Sequence, residues 1–496
     1  MSFVEHLPAI LIMNLFIFAF AMPLIHKWNR NWATIVSLFS LVLSFSISVI
    51  ILIEVINNGA ISYYLGGWEP PFGIEFYIDY LSSYMLIVLT GMGLIIFYYG
   101  LDNLPFELKG EIVGWYYTLY LLLIGAMLGM AITNDLFNLF VFMEISAIAS
   151  CAIISVKKDR ECLEASFKYL ILSAMGTGCY LLAIALIYMI TGYLNYDMVQ
   201  AALVEQMAVY PNNVLAALSL IAVCFCVKAA LFPLHVWLPD AHASAPSTSS
   251  AMLSGLVIKI YAIALIHLMF RVFPLEIFYE VPLKEILLWL GVLGMILGSI
   301  FAMTQENFKR MLAYSTVAQI GYVFLGIGLF NQTALVGGLL HILNHAVMKS
   351  ILFMVAGIIL YTKGLKKVRE FDGIGNQLQW TMTAFIIASA SMVGIPITGG
   401  FISKWYLATG AFEAERPFFI GVIILSSLLN AMYYFPIAIR AFLSEPKPEN
   451  MVYRPVTKNM LIPVIILTAL IFYVGMNPQG IVGILQNAVE VLFNQM

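Results

Sequence analysis

The feature that most constrains this chain is a set of charged residues inside apolar runs long enough to cross a bilayer. Lys168, Lys228, Lys259, Lys349, Lys404 and Glu144 each fall in such a run. A spanning helix needs about 20 apolar residues. A charge at its centre costs about 2.5–3.5 kcal/mol, so six meeting lipid would cost ~15 kcal/mol. They must face one another, a polar partner or water. Lys168 and Lys349 lie nearer the ends of their runs, where a lysine can snorkel. Residues 225–261 are the densest stretch: Lys228, Pro233, His235, Pro239, Asp240, His242, Pro246 and Lys259 follow one another between apolar segments. A helix carrying Lys228 loses a backbone hydrogen bond at Pro233 and should break or kink there. Broken backbone at membrane depth is tolerated only where protein or a wet cavity satisfies it. A charged group beside a broken helix is the usual build of an ion path.

Composition sets the class. Of 496 residues, 62% are hydrophobic and 10% charged, against roughly 25% charged in soluble proteins. The chain reads as an all-α polytopic protein of the cell membrane. A net charge of −3 with no basic tract leaves no case for a nucleic-acid partner. Cys151, Cys162, Cys179, Cys224 and Cys226 make no CxxC or zinc spacing and read as small apolar helix residues. No cofactor or metal site is expected, so any redox chemistry belongs to another subunit. The first apolar run lacks a basic flank and a cleavage site and reads as a retained helix.

About fourteen spans are predicted, near 7–25, 32–56, 78–100, 112–132, 134–155, 165–191, 214–240, 246–271, 283–304, 311–330, 333–361, 380–411, 417–443 and 458–476. Pro478 to Met496 reads as a short amphipathic, interfacial piece. The odd-numbered connections hold Lys27, Arg30, Lys109, Lys157, Lys158, Arg160, Lys309, Arg310, Lys363, Lys366, Lys367, Arg369, Arg440, Lys447, Arg454 and Lys458. The even-numbered ones hold only Arg271, Lys284 and Arg416, among acids such as Glu69, Glu75, Asp197, Glu205, Glu276, Glu280 and Glu413. By the positive-inside rule the odd connections are cytoplasmic, and both termini lie outside.

The chain also repeats. Phe225-x-x-Lys228-x-x-Leu231 recurs as Phe401-x-x-Lys404-x-x-Leu407, with Pro233 after the first lysine and Pro396 before the second. Ala165-x-x-Lys168 recurs as Ala346-x-x-Lys349, and Thr133-Asn134-Asp135-x-Phe137 resembles Thr304-Gln305-Glu306-x-Phe308. Three collinear matches argue for a duplicated five-helix unit. Five is odd, so the copies insert in opposite senses, as in many transporters. The expected organisation is an N-terminal three-helix segment (1–111), a first inverted repeat (112–271), a connecting loop (272–282), a second repeat (283–443) and a C-terminal helix with its tail (444–496). Broken helices are expected at spans 7 and 12.

Glu144 and Lys228 form the natural pair. Desolvation disfavours a charged lysine and a nearby carboxylate favours it, so a small movement switches the amine between holding and releasing a proton. Lysine suits this because arginine stays protonated. The plainer alternative is a static buried ion pair. Lys259 and Lys404 continue the series. His341, His345 and Lys349 follow one another at i, i+4 on one helix face, where imidazoles can relay protons; packing or a metal pair is the alternative. His235, Asp240 and His242 flank the broken stretch and suit either proton uptake or a structural turn with Asp240 as a cap. Asp79 and Asp135 read as helix-terminal anchors.

The run from Lys228 to His242, with Ala245-Pro246 and Lys259 behind it, resembles the antiporter-like subunits of Mrp cation/proton antiporters and respiratory complex I. So do Phe308-Lys309-Arg310-Met311-Leu312-Ala313-Tyr314-Ser315, His345-Ala346-x-x-Lys349, and Gly394-x-Pro396 leading to Gly400-Phe401-x-x-Lys404. The resemblance covers roughly residues 75–445. Length and a lysine at 404 most resemble the D-type subunit of Mrp antiporters, with the similar subunit of membrane-bound hydrogenases next. It implies fourteen helices and a hydrated polar axis midway across the membrane. Glu144 and Lys228 would be the coupling pair, Lys259 and the histidine helix the connectors, and Lys404 the terminal proton site. Partners would be other membrane subunits, including further antiporter-like ones. Asn307 and Tyr261 depart from the family pattern, which often has aspartate and glycine there. The long lateral helix of the largest complex I subunit has no counterpart before Met496.

Three functions follow. The first is a proton-conducting subunit of a cation (Na+)/H+ antiporter. The second is a pumping subunit of a redox-driven hydrogenase or complex I type assembly. The third is a membrane scaffold, in which leucine could replace the intramembrane lysines. No cluster of carboxylates and hydroxyls cradles sodium, so protons are expected here and sodium through another subunit.

Overall fold

A computed structural model describes residues 3–108, 110–445 and 454–494. Lys109 and Lys447, assigned above to basic connections, and the end of the tail at Met496 lie outside the described residues. The helices are α1 (Leu7–Trp28), α2 (Arg30–Asn58), α3 (Tyr80–Glu107), α4 (Ile112–Ile132), α5 (Leu136–Ile154), α6 (Arg160–Thr191), α7 (Tyr196–Gln206), α8 (Pro211–Lys228), α9 (Trp237–Ser244), α10 (Ser247–Met252), α11 (Ile258–Arg271), α12 (Ile277–Glu280), α13 (Leu283–Met303), α14 (Phe308–Leu329), α15 (Gln332–Lys363), α16 (Gln379–Val393), α17 (Gly399–Glu413), α18 (Phe418–Leu443), α19 (Lys458–Met476) and α20 (Gln479–Phe493). Counting α10–α11 as one, 13 are long and apolar enough to cross a membrane. Where a twelfth span is expected, the chain forms the two 15-residue helices α16 and α17.

The helix ends follow local chemistry. Asp79, Asp135, Asp159, Asn307 and Asn331 each accept a backbone N–H in the first turn of the helix that follows, satisfying a donor with no intrahelical partner. Asn307 is thus the N-cap of α14. The short helices α7 and α12 and one strand pair were not anticipated. Between α2 and α3, β1 (Ile61–Tyr64) pairs antiparallel with β2 (Glu75–Ile78), Ile61 opposite Ile78.

The connections separate onto two faces. Lys157 meets Glu107 at 2.6 Å, Arg310 meets Asp240 at 2.9 Å, and Arg440 meets Asp372 at 3.4 Å, tying odd-numbered connections to one another. On the opposite face Glu75 accepts from Asn134 and Asn195, and Arg271 bonds Asp197. The basic loops thus share one side. The tail departs from expectation. The apolar face of α20, with Val482, Leu485, Val489 and Leu492, is buried against α3 and α15; protein, rather than a lipid interface, covers it.

Burial is uneven. The apolar stretch of α10–α11 is 100% buried and those of α14 and α15 are each 94% buried, so these stand at the centre, away from lipid. Alongside, α13 and α14 approach through glycines. A Cβ on Gly321 would lie 2.4 Å from the Gly291 carbonyl oxygen.

Candidate functional site: a buried row of lysines and histidines

Helix α8 stops at Lys228. Ala230 adopts a left-handed φ of 54°, and the Leu231 N–H returns to the Cys226 carbonyl at 2.9 Å. That is the closure by which a helix end satisfies its free carbonyls. The Trp237 indole donates to the Val227 carbonyl at 3.0 Å from beyond the gap. Residues 229–236 are non-helical, and α9 resumes at Trp237. Lys228 therefore sits at the negative end of a helix dipole, where a cation is favoured.

Four of the five lysines placed within the apolar runs are almost wholly enclosed: Lys228, Lys259, Lys349 and Lys404 are 2%, 1%, 0% and 5% exposed. The Lys228 ammonium donates to Ser173 Oγ on α6 at 2.7 Å and lies 5.5 Å from the centre of the Tyr261 ring. Tyr261 in turn reaches Ser146 on α5 at 3.2 Å. Glu144 is half-buried, on the α5 face that exposes Val141 and Ile148. Its Oε1 has no hydrogen-bond partner among the described residues, and no ion pair joins it to Lys228 there. Ser173 on α6, rather than Glu144 on α5, accepts the hydrogen bond of the Lys228 amine; Glu144 acts on that amine only through space.

Further along, the helix widens to a π turn over Leu253–Val257. Lys259 donates to the Ser254 carbonyl within it, and Ser254 Oγ lies 2.8 Å from Thr316 Oγ1 on α14. Lys349 donates to the Leu312 carbonyl at 2.8 Å, to Ser315 and to the Tyr434 hydroxyl at 3.4 Å. One and two turns earlier on α15, His345 and His341 stack with ring centres 5.9 Å apart. His341 is held at both nitrogens, Nδ1 by Ser403 Oγ at 2.9 Å and Nε2 by Gln319 Oε1 at 3.1 Å. His345 has neither nitrogen bonded among the described residues. No group of three metal-ligating side chains occurs there either.

Lys404 closes the row. It lies on α17, past the point where α16 ends at Gly394 with φ 91°. Its ammonium turns back to the last carbonyls of α16, Met392 at 2.7 Å and Val393 at 3.0 Å, and to Ser427 Oγ at 2.9 Å. Three donors meet three acceptors. The partners of all four ammoniums are therefore carbonyl and hydroxyl oxygens. Such oxygens solvate a proton-bearing amine without adding a fixed charge. Ser173, Ser254, Ser315, Ser403, Ser427, Gln319 and Tyr434 were missed from sequence; their one signal is a polar side chain within an apolar run.

The remaining expected residues divide by depth. Asp240, on α9, bonds Lys168 at 2.9 Å and Arg310 at 2.9 Å, and Lys168 also meets Glu164 at 2.8 Å. Lys168 is half-exposed, so it belongs to a surface cluster rather than to the interior series. Asp240 caps no helix, because α10 begins behind Pro246. Behind Asp240, His242 is fully buried and stacks on Phe353 at 4.8 Å, one turn from Lys349. His235 stacks on Phe232 at 5.3 Å.

Comparison with known proteins gives the family and the overall fold. The family described as NADH:quinone oxidoreductase/Mrp antiporter, TM, matches residues 133–430. The chain is 38% identical over 440 residues to "NADH-quinone oxidoreductase subunit N" of Desulforudis audaxviator, covering 86% of this chain and 87% of that one. It is 31% identical over 451 residues to the D-type subunit of the Na(+)/H(+) antiporter of Alkalihalophilus pseudofirmus, covering 90% and 89%. A chain of the membrane-bound sulfane sulfur reductase, an archaeal respiratory membrane complex, superposes with a TM-score of 0.90 at 29% identity, over 98% of this chain and 97% of that one. The match spans both sides of every break that carries a buried lysine, and the chain is a member of the NADH:quinone oxidoreductase/Mrp antiporter membrane family.

Proposed function

We propose that this chain is the proton-translocating antiporter subunit of a multi-subunit cation (Na+)/H+ antiporter. The observation that carries the reading is the enclosed row Lys228, Lys259, Lys349 and Lys404, its ammoniums set on neutral oxygens and two of them at helix breaks, with His341 and His345 beside Lys349 on one helix. Buried amines without carboxylate partners can exchange protons, and intramembrane ionisable residues mark ion pathways. In this scheme Ser173 holds the Lys228 amine at rest, and Glu144, with an unbonded Oε1, recruits it during turnover. Lys259 and the histidine helix connect to Lys404, the terminal proton site. Asp240, His242 and His235 form the uptake mouth.

The helix pairs α8–α9 and α16–α17 support the inverted repeat, because the first runs toward the lysine- and arginine-rich face and the second away from it. That face is the cytoplasmic one, which leaves both termini outside. The partners are other membrane subunits, including antiporter-like ones, and sodium crosses through one of those. A second reading, a pumping subunit of a redox-driven complex, is favoured by the names of the first relative and of the superposed respiratory complex. Its chemistry in this chain is the same.

The test is proton transport by the assembled complex. Lys228→Ala and Glu144→Ala each abolish it while co-purification of the subunits is unchanged. Transport at the native rate in either variant refutes the scheme.

A further inference from the structure

The connection between α1 and α2 is the single residue Asn29. Asn29 accepts the N–H groups of Asn31 and Trp32, so the turn cannot extend away from the bundle. Lys27, Trp28 and Arg30 are therefore pinned at the depth where two membrane helices end. Facing them is the start of α4, with Glu111 and Trp115. Together with His26 they line a cavity of about 510 Å³, many times the ~30 Å³ share of one water.

Three features mark what the cavity would take. First, its charges are unspent: Lys27, Arg30 and Glu111 form no ion pair with one another among the described residues. Second, His26 lies across Gly114, where a Cβ would meet its ring at 2.3 Å. Both His26 nitrogens are buried and unbonded there, which is costly for a polar group unless something completes it. Third, the cavity opens onto an apolar stripe. Ile17, Phe20, Leu24 and Trp28 are exposed along one face of α1, spaced by three or four residues as one side of a helix requires. Trp28 and Trp115 are exposed beside the charges, as tryptophans at a membrane–water boundary are.

We infer that this cavity is a phospholipid site that selects an ammonium-bearing headgroup such as phosphoethanolamine. The phosphate oxygens meet Lys27 and Arg30; the ammonium meets Glu111 between the two indoles; one acyl chain follows Leu24, Phe20 and Ile17. Two cations and one carboxylate match a headgroup with one negative and one positive group. A purely anionic headgroup leaves Glu111 opposed to like charge. A membrane subunit covering this face would instead exclude lipid from it.

The test uses the full complex in nanodiscs doped with brominated phosphatidylethanolamine or brominated phosphatidylglycerol. Trp28 quenching is taken as the difference between native protein and Trp28→Phe. The ethanolamine lipid quenches at a several-fold lower mole fraction than the glycerol lipid. Glu111→Gln removes that preference. Lys27→Gln with Arg30→Gln raises the half-quenching mole fraction of both lipids by about tenfold or more. Excess inorganic phosphate leaves quenching unchanged. Equal quenching by both lipids in the native complex overturns the ammonium assignment. An unaltered response in the double variant, relief by inorganic phosphate, or no quenching of Trp28 overturns the site.

Discussion

The sharpest test of the proton row is Lys404→Arg. The lysine ammonium has acceptors at 2.7, 3.0 and 2.9 Å, and its stem packs so that a Cβ on Gly394 would be 2.9 Å from Cδ. Arginine keeps the charge, reaches the Met392 and Val393 carbonyls and preserves the electrostatic fit to the end of α16. It differs in one respect: it holds its proton. Arginine holds its proton more tightly than lysine by about 2–3 pKa units, roughly 3–5 kcal/mol. Relative to the native side chain that is about 10²–10³-fold in rate if Lys404 must deprotonate in each cycle. Lys404→Met is a poorer probe. It leaves the Val393 carbonyl unpaired and the Met392 carbonyl with only the longer bond from Asn430, at about 1–3 kcal/mol for an unpaired group, and confounds function with assembly. The assay is dye-monitored proton uptake in everted vesicles, with complex recovery as the control. The arginine variant assembles and shows no uptake. Uptake above about a tenth of the native rate would mean that Lys404 keeps its proton throughout, and the terminal-site role would fall.

Ser173→Ala removes the hydroxyl that holds the Lys228 amine; a buried bond to a charged group is worth about 1.5–3 kcal/mol, so transport falls roughly tenfold or more, Ser173→Thr restores it, and the same vesicle assay decides. Gly321→Val forces a side chain into the Gly291 carbonyl and separates α13 from α14, costing about 1–3 kcal/mol, read as a lower unfolding temperature of the purified complex. Asp240→Asn weakens the ties to Lys168 and Arg310 and slows uptake from the basic side without changing subunit recovery, which a stopped-flow pH-jump measurement resolves. Asp159, outside the membrane helices, has its carboxyl held below its usual value of 3.8, chiefly by the Cys162 backbone N–H. That contribution is full at neutral pH and disappears as pH falls through the lowered value. Asp159→Ala therefore destabilises α6 by about 0.5–2 kcal/mol at pH 7 and least at strongly acidic pH, as thermal denaturation across pH will show.

Hydropathy located the spans because an apolar run of membrane length has few other fates. Pro233 and Pro396 marked where two of them are interrupted, and the lysines marked themselves by their cost in lipid. Side-chain direction was beyond reach. Glu144 and Lys228 could be paired as opposite charges in nearby runs, but that the amine's hydrogen bond goes to Ser173 on α6 could not be read. Lys168, read as lying near the end of its run, does sit two turns from the start of α6 and beside Asp240, whereas Lys349, read the same way, is fully buried in the middle of α15. The β1–β2 hairpin has only four residues a strand, too short for a periodic signal. The tail was amphipathic as read, but amphipathicity does not say whether lipid or protein covers the apolar side. Tyr261, a departure from the family pattern, proves to bridge Ser146 and the face of Lys228.

The clasp on His341 has a consequence for turnover. With the Gln319 carbonyl toward Nε2, the imidazole carries its hydrogen on Nε2 and accepts the Ser403 hydroxyl at Nδ1. A proton arriving at Nδ1 and leaving from Nε2 would convert the ring to its other tautomer, with its hydrogen on the opposite atom. The Gln319 amide nitrogen, unbonded among the described residues, can serve that second form if the amide rolls over by half a turn. Gln319 and Ser403 would then act as a pair of swivels, and the wire would have to be wound back before it could pass another proton.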